Sequence, residues 1–199
     1  MIDGAGGINL AQFHPDASRR AASPLRVLVN GRRSREKKGT DLILRALRGL
    51  ERRLPPFEVV LFDSLGEHNR QDPRDGAPLP AHARFVIGPT QEELVALYQS
   101  SHVFVAAERK AGWCNTALEA MACGCAVACT GSGTRDFARE GENAIVSFRH
   151  PWFLRHAIRC LLESEPLRAR LSVAGAAAVT PWTWDRLAAR LLEAVAAAS

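Results

Sequence analysis

Three side chains have types and spacing suited to chemistry on a phosphorylated ligand. The loop Gly31-Arg32-Arg33-Ser34-Arg35-Glu36-Lys37-Lys38-Gly39 follows the apolar run Arg26-Val27-Leu28-Val29-Asn30. An arginine can grip phosphate oxygens through its guanidinium fork, and a lysine supplies a point charge. Arg32 and Lys38 could thus neutralise a diphosphate as its bond breaks, with Gly39 letting the backbone come close. Taken alone, such a run also describes solvated basic surface. The third side chain is Glu119. It lies about one turn into a helix expected over Asn115 to Cys123, among Ala117, Leu118, Ala120, Met121 and Ala122. A carboxylate in that company needs a partner, and ribose hydroxyls are one candidate. Because the loop with Gly112 runs straight into this helix, the helix's N-terminal N–H groups and dipole suit a phosphate.

These residues require a scaffold that ends strands beside them. Short apolar runs at Arg26–Asn30, Phe57–Phe62, Ala83–Ile87, His102–Ala106, Ala126–Cys129 and Ala144–Phe148 read as six strands. Helical stripes alternate with them. One is capped by Gly39 or Thr40 and carries Leu42, Ile43, Ala46, Leu47 and Leu50; another spans Gln91 to Gln99 with Leu94, Leu97 and Tyr98 inward. A short helix is expected near Thr134 to Arg139, and three more at 151–163, 165–178 and 183–197. Residues 64–82 are polar and rich in Pro and Gly, a surface loop. Alternation of this kind predicts an α/β fold: a doubly wound, Rossmann-like parallel sheet of about six strands with right-handed crossovers. Ligands of such sheets bind beyond the carboxyl ends of the strands, which directs attention to the loops after Asn30, Ala106 and Cys129.

The bulk properties agree. With 199 residues, 47% hydrophobic and 24% charged, the chain has the balance of one globular domain. No apolar run approaches the roughly 18 residues of a membrane span, and the first residues lack the regions of a signal peptide. The net charge of +5 suits a phosphate-bearing ligand, nucleic acid or an anionic membrane, without choosing among them. Five cysteines without an even framework read as reduced thiols in the cytoplasm.

Several motifs in order resemble the donor domain of the family-4 retaining glycosyltransferases, which have the GT-B fold. Leu118-Glu119-Ala120-Met121-Ala122-Cys123-Gly124 resembles the family's central motif in full. Arg32 with Lys38-Gly39 resembles its basic loop, and Gly88, Glu93-Leu94 and Leu97-Tyr98 its stretch before the fourth strand. Gly131-Ser132-Gly133-Thr134 and Gly141-Glu142-Asn143 fall where the family has turns. Gly7 to Pro15 resembles the segment between its two domains, so residues 1–24 read as a linker and 25–199 as the donor-binding domain. The resemblance implies a nucleotide-sugar donor whose glycosyl group is transferred with retained configuration. Arg32 and Lys38 become the catalytic pair at the departing diphosphate. The backbone N–H groups of Gly112, Trp113, Cys114 and Asn115 help hold phosphate or sugar, Thr116 adds a hydroxyl toward the phosphates, and Glu119 binds ribose. No cofactor and no metal are implied.

Two departures stand out. Ala111 occupies the position of the family's first Glu and cannot hydrogen-bond a sugar hydroxyl; Glu108 is the nearest carboxylate that could reach back. The N-terminal acceptor-binding domain is missing, so the chain is a fragment, a subunit of a split enzyme, or a non-catalytic nucleotide-sugar-binding remnant. The expected partners are the donor and an acceptor domain or subunit, with no nucleic acid. The resemblance leaves room for a cytoplasmic protein peripheral to the inner face of the membrane.

The remaining signals read as structural. Gly131-Ser132-Gly133-Thr134-Arg135-Asp136 begins like a dinucleotide fingerprint but ends in Asp where a third Gly belongs. Cys123, Cys125 and Cys129 lack zinc spacing and suit a core. Surface or linker placement is the default for the six histidines, and Trp182 and Trp184 are expected to pack the last helix.

Overall fold

The computed structural model describes residues 6–33, 36–48, 50, 54–63, 79–80 and 83–198. Six strands form one sheet: β1 (Leu25–Asn30), β2 (Phe57–Asp63), β3 (Ala83–Ile87), β4 (Val103–Ala106), β5 (Ala126–Thr130) and β6 (Ile145–Ser147). The helices are α1 (Thr40–Leu47), α2 (Gln91–Gln99), α3 (Asn115–Ala122), α4 (Pro151–Glu163), α5 (Glu165–Ala178) and α6 (Trp184–Ala198). The expected loop over 64–82 lies, apart from residues 79–80, outside the described residues.

The sheet order is β3-β2-β1-β4-β5-β6, and every pairing is parallel. The first three strands step one way from β1. The chain then returns to lay β4 on the other side of β1 and continues outward. The loops leaving β1 and β4 therefore diverge and open a crevice at the carboxyl ends of the two central strands.

Burial on both faces explains the nearly continuous apolar strands. Alternate residues supply two cores. Leu28, Val60, Phe104 and Val127 pack with Tyr98, Leu118 and Met121 on one face. Val27, Val29, Leu61 and Val105 pack with Ile43, Leu47, Leu154 and Ile158 on the other. Local signals start the helices. Thr90 and Glu93 form a reciprocal capping box on α2, and Ser164 caps α5.

Four expectations change. The short helix over Thr134 to Arg139 is a series of turns. The Asn143 side chain takes the Arg139 N–H and donates to the Phe137 carbonyl, groups a helix would need for itself. His102 departs from surface placement: half-buried, it accepts the Arg26 N–H through Nδ1, whereas His150 is exposed as expected and caps α4. Trp182 packs against Trp113 with Arg190 of α6 over its ring, whereas Trp184 is largely exposed. Finally, part of the segment read as a linker lies against the domain. Ile8 and Phe13 are buried, the Ile8 N–H donates to the Trp182 carbonyl, and Phe13 meets Tyr98 edge-on. No helix among the described residues is long and apolar enough to cross a membrane.

Candidate functional site

The crevice between β1 and β4 gathers most of the residues singled out by sequence. Asn30 ends β1 and shapes the loop twice: its side chain accepts the Arg32 N–H at 3.0 Å, and its carbonyl accepts the Thr40 hydroxyl at 2.9 Å. Gly39 then turns into α1 with φ +74°, pressed against Ala107 just beyond β4. This contact brings the two loops together. The Arg109 N–H donates to the Lys37 carbonyl at 2.9 Å, and Lys38 Nζ lies 2.6 Å from Glu108 Oε1.

Neither candidate cation stands alone. Glu108 is nearly buried and holds Lys38, while Asp63, at the carboxyl end of β2, accepts from Arg32 Nε at 2.9 Å. Both carboxylates fix where the positive charge sits and offset part of it. Glu108 thus reaches toward Lys38 from the loop that carries Ala111. Its second carboxylate oxygen takes no hydrogen bond from the described residues.

The loop between β4 and α3 is braced by the glycine turn after β5. The Ala111 N–H donates to Ser132 Oγ at 2.9 Å, and the Cys114 N–H to the Gly133 carbonyl at 2.8 Å. Gly133 has φ +76°, and a Cβ there would lie 2.7 Å from Ala111 Cβ. This bracing takes up one N–H of the expected donor set, that of Cys114. Cys114 has a buried side chain and a spent N–H, so it anchors the loop instead of facing a ligand. Burial, followed by the Glu108 charge, pushes its thiol up to about 11, which keeps it protonated at neutral pH. The Trp113 ring packs between Phe137 and Trp182, with centroids 5.2 and 5.1 Å away. Gly112, Asn115 and Thr116 remain suitably placed. Their N–H groups have no partner among the described residues, and the space in front of Gly112 is open. The first turn of α3 therefore presents unpaired donors at the positive end of its dipole.

Glu119 is half-buried one turn along α3, and its Oε2 accepts from the Tyr98 hydroxyl at 2.9 Å. Its other oxygen takes no hydrogen bond from the described residues. Burial raises its pKa, against opposing effects from Tyr98 and the Lys38 charge. Folding therefore favours the protonated form. The stability this group contributes is present below the ordinary carboxylate range and is lost as pH rises through the raised value. Glu119→Gln keeps an acceptor for Tyr98 and removes the charge. We expect it to melt higher than the parent at about pH 7 and to match it near pH 4, as read by thermal denaturation at both values. The same substitution is expected to weaken a ribose-containing ligand about tenfold, because hydrogen bonds to a charged acceptor are the stronger kind. Unchanged affinity would remove Glu119 from the site.

Tyr98, Asp63 and Glu108 acquire their positions through tertiary structure. Tyr98 reads in sequence as an inward residue of a stretch that resembles the family's, with no sign of its pairing to Glu119. Asp63 had one faint signal, a carboxylate closing an otherwise apolar strand at its carboxyl end.

A six-stranded parallel sheet with a basic loop and a helix N-terminus at its switch point defines a Rossmann-like α/β domain. The chain belongs to the glycosyl transferases group 1 family, whose pattern matches residues 13–178. Its fold is that of GT-B C-terminal domains. Sucrose-phosphate synthase from Thermosynechococcus elongatus superposes with a TM-score of 0.80 at 22% identity, over 98% of this chain and 52% of that one. The C-terminal domain of LpcC, a glycosyl transferase group 1 family protein from Francisella tularensis, gives 0.74 at 21% identity over 87% and 97%. Anabaena HepE in complex with UDP gives 0.80 at 15% identity over 96% and 56%. This chain therefore spans about half the length of the synthase and of HepE. No functionally curated protein matches it.

Proposed function

We propose that this chain is the donor-binding domain of a retaining glycosyltransferase and takes a nucleoside diphosphate sugar in the crevice between β1 and β4. The observation that carries the reading is the meeting of Lys38, the unpaired N–H groups of Gly112, Asn115 and Thr116, and Glu119 at the sheet's switch point. Glu119 would accept from ribose hydroxyls through its open oxygen. The α3 N-terminus would hold phosphate. Arg32 and Lys38 would stabilise the diphosphate as the bond from the anomeric carbon to its oxygen breaks. The electron pair leaves with the diphosphate, the acceptor oxygen bonds the anomeric carbon, and the acceptor's proton passes to the departing phosphate. Family membership and the UDP bound by HepE support this assignment. No cofactor or metal has a part in it.

An acceptor-binding domain or subunit would complete the cleft. The length relation to the synthase and HepE supports that partner, as does α6, which leaves Trp184, Leu191 and Leu192 exposed. A cytoplasmic location belongs to the same proposal. Exposed Phe148, Trp152 and Phe153, clustered ahead of and within the first turn of α4, form the surface on which a peripheral membrane contact should be sought. Ala111 favours one alternative, a nucleotide-sugar-binding remnant without catalysis, since its methyl group offers nothing to a sugar hydroxyl.

Thermal denaturation with UDP, GDP, ADP and their sugar conjugates, with and without magnesium, tests the reading. One nucleotide at about 100 times its Kd should stabilise the fold by about 2.7 kcal/mol, a rise of roughly 5–10 °C for a chain of this size. No rise with any nucleotide would defeat the proposal of a working donor site. Sugar transfer on adding an acceptor domain would count against the remnant.

A further inference from the structure

We propose that the opposite end of the sheet carries a second anion site, which takes inorganic phosphate or the phosphate group of a small phosphomonoester. A cavity of about 160 Å³ opens there between the amino ends of β4 and β5 and helix α5, lined by Arg20, His102, Gly124, Glu165, Arg168 and Ser172. His102 precedes β4 and Gly124 precedes β5, so the cavity lies away from the crevice at the carboxyl ends.

The lining is rich in unsatisfied donors. Arg20 reaches the Cys123 carbonyl through one terminal nitrogen at 3.3 Å, while its Nε is buried with no hydrogen-bond partner among the described residues. Buried charged donors are seldom left unpaired, and one that is calls for an acceptor. Arg168 donates from one nitrogen to the carbonyls of Leu161 and Leu162, at 2.8 and 3.1 Å. No carboxylate among the described residues lies within ion-pair distance of either guanidinium. The third nearby arginine, Arg26, is matched by Glu58 at 2.5 Å. Glu165 is the one acid in the lining and faces two unmatched arginines.

His102 registers this excess of charge. Its Nδ1 accepts the Arg26 N–H, which places the proton of the neutral ring on Nε2. Burial first, then Arg20, with smaller effects from Arg168 and Arg26, hold its pKa down to about 4 against the pull of the Ala21 carbonyl. An oxyanion in the cavity would lie between the Arg20 and Arg168 guanidinium groups, draw on the free donors of Arg168 and offset the positive charge that disfavours protonation of the ring. It would also tie the segment carrying Arg20 to α5.

The test is an NMR titration of the full chain near neutral pH with inorganic phosphate, glycerol phosphate and, at matched ionic strength, chloride. The expected result is a saturable shift of the Arg20 Nε–H and His102 ring signals with phosphate or glycerol phosphate. Arg20→Gln should weaken the response at least about tenfold, since it replaces a charge-assisted contact by a neutral one. Glu165→Gln should strengthen it by removing the opposing charge. Backbone amides of Asn115 and Thr116 serve as a check that both variants are folded. A tighter response to glycerol phosphate assigns the site to phosphomonoesters, and a tighter response to phosphate assigns it to the free ion. Shifts no larger than those with chloride, or a response that survives Arg20→Gln at full strength, would overturn the proposal.

Discussion

Lys38→Ala is expected to lower affinity for a nucleoside diphosphate about 100-fold or more while changing affinity for the matching nucleoside no more than about threefold. Two effects add. The variant loses a cation that sits 2.6 Å from Glu108 at the mouth of the crevice. It also leaves the Glu108 carboxylate, with only 9% of its side chain exposed, unmatched beside the phosphates. A repulsion between unit charges at about 4 Å amounts to about 4 kcal/mol in a protein-surface dielectric, before solvent screening. Breaking a buried pair from one side costs about 3–5 kcal/mol. Because Lys38 retains 25% side-chain exposure, we expect about 2 kcal/mol of lost stability, a fall in Tm of about 4–8 °C. Lys38→Ala with Glu108→Ala should recover most of that stability and part of the diphosphate affinity. Calorimetry with nucleoside and nucleoside diphosphate side by side reads both effects. Equal losses for the two ligands would remove the phosphate role of Lys38.

Gly39→Ala should be as damaging by a different route. A Cβ at this left-handed position would lie 2.1 Å from the Ala107 carbonyl oxygen and 2.9 Å from Ala107 Cβ. The left-handed backbone alone costs about 1–2 kcal/mol. The clash is with backbone, so the loops leaving β1 and β4 must separate to relieve it. We expect a total loss of about 3 kcal/mol or more, a Tm lower by roughly 6–12 °C, and diphosphate affinity falling as Lys38 moves away from Glu108. Gly112→Ala is the informative control. Its Cβ would meet nothing within 4 Å, so the melting temperature without ligand should stay put. If phosphate approaches that surface, the added methyl group should weaken ligand binding nonetheless. A stable, tightly binding Gly39→Ala variant would show that the two loops need not touch.

The sequence by itself determined the scaffold, because its information is local and periodic. Mostly apolar runs of four to six residues, separated by striped helices, admit few arrangements other than a parallel sheet covered on both faces. The capping box of Thr90 and Glu93 and the glycine turns mark element ends by short-range chemistry. Arg32, Lys38 and Glu119 were legible because the basic loop and the helix motif keep their spacing within one stretch of chain. Tertiary structure decided their partners. Lys38 and Glu108 are 70 residues apart, Arg32 and Asp63 are 31 apart, and Tyr98 and Glu119 are 21 apart. No local pattern can encode such pairings; they arise where the doubly wound order sets β1 beside both β2 and β4. The same cause spends the Cys114 N–H on the Gly133 carbonyl and packs the Trp113 ring between Phe137 and Trp182, since the turn after β5 and the segment before α6 reach them only in the folded chain. The cluster of Arg20, His102 and Arg168 was equally hidden. It joins an N-terminal segment, a strand end and a late helix that only packing of the chain brings to one cavity.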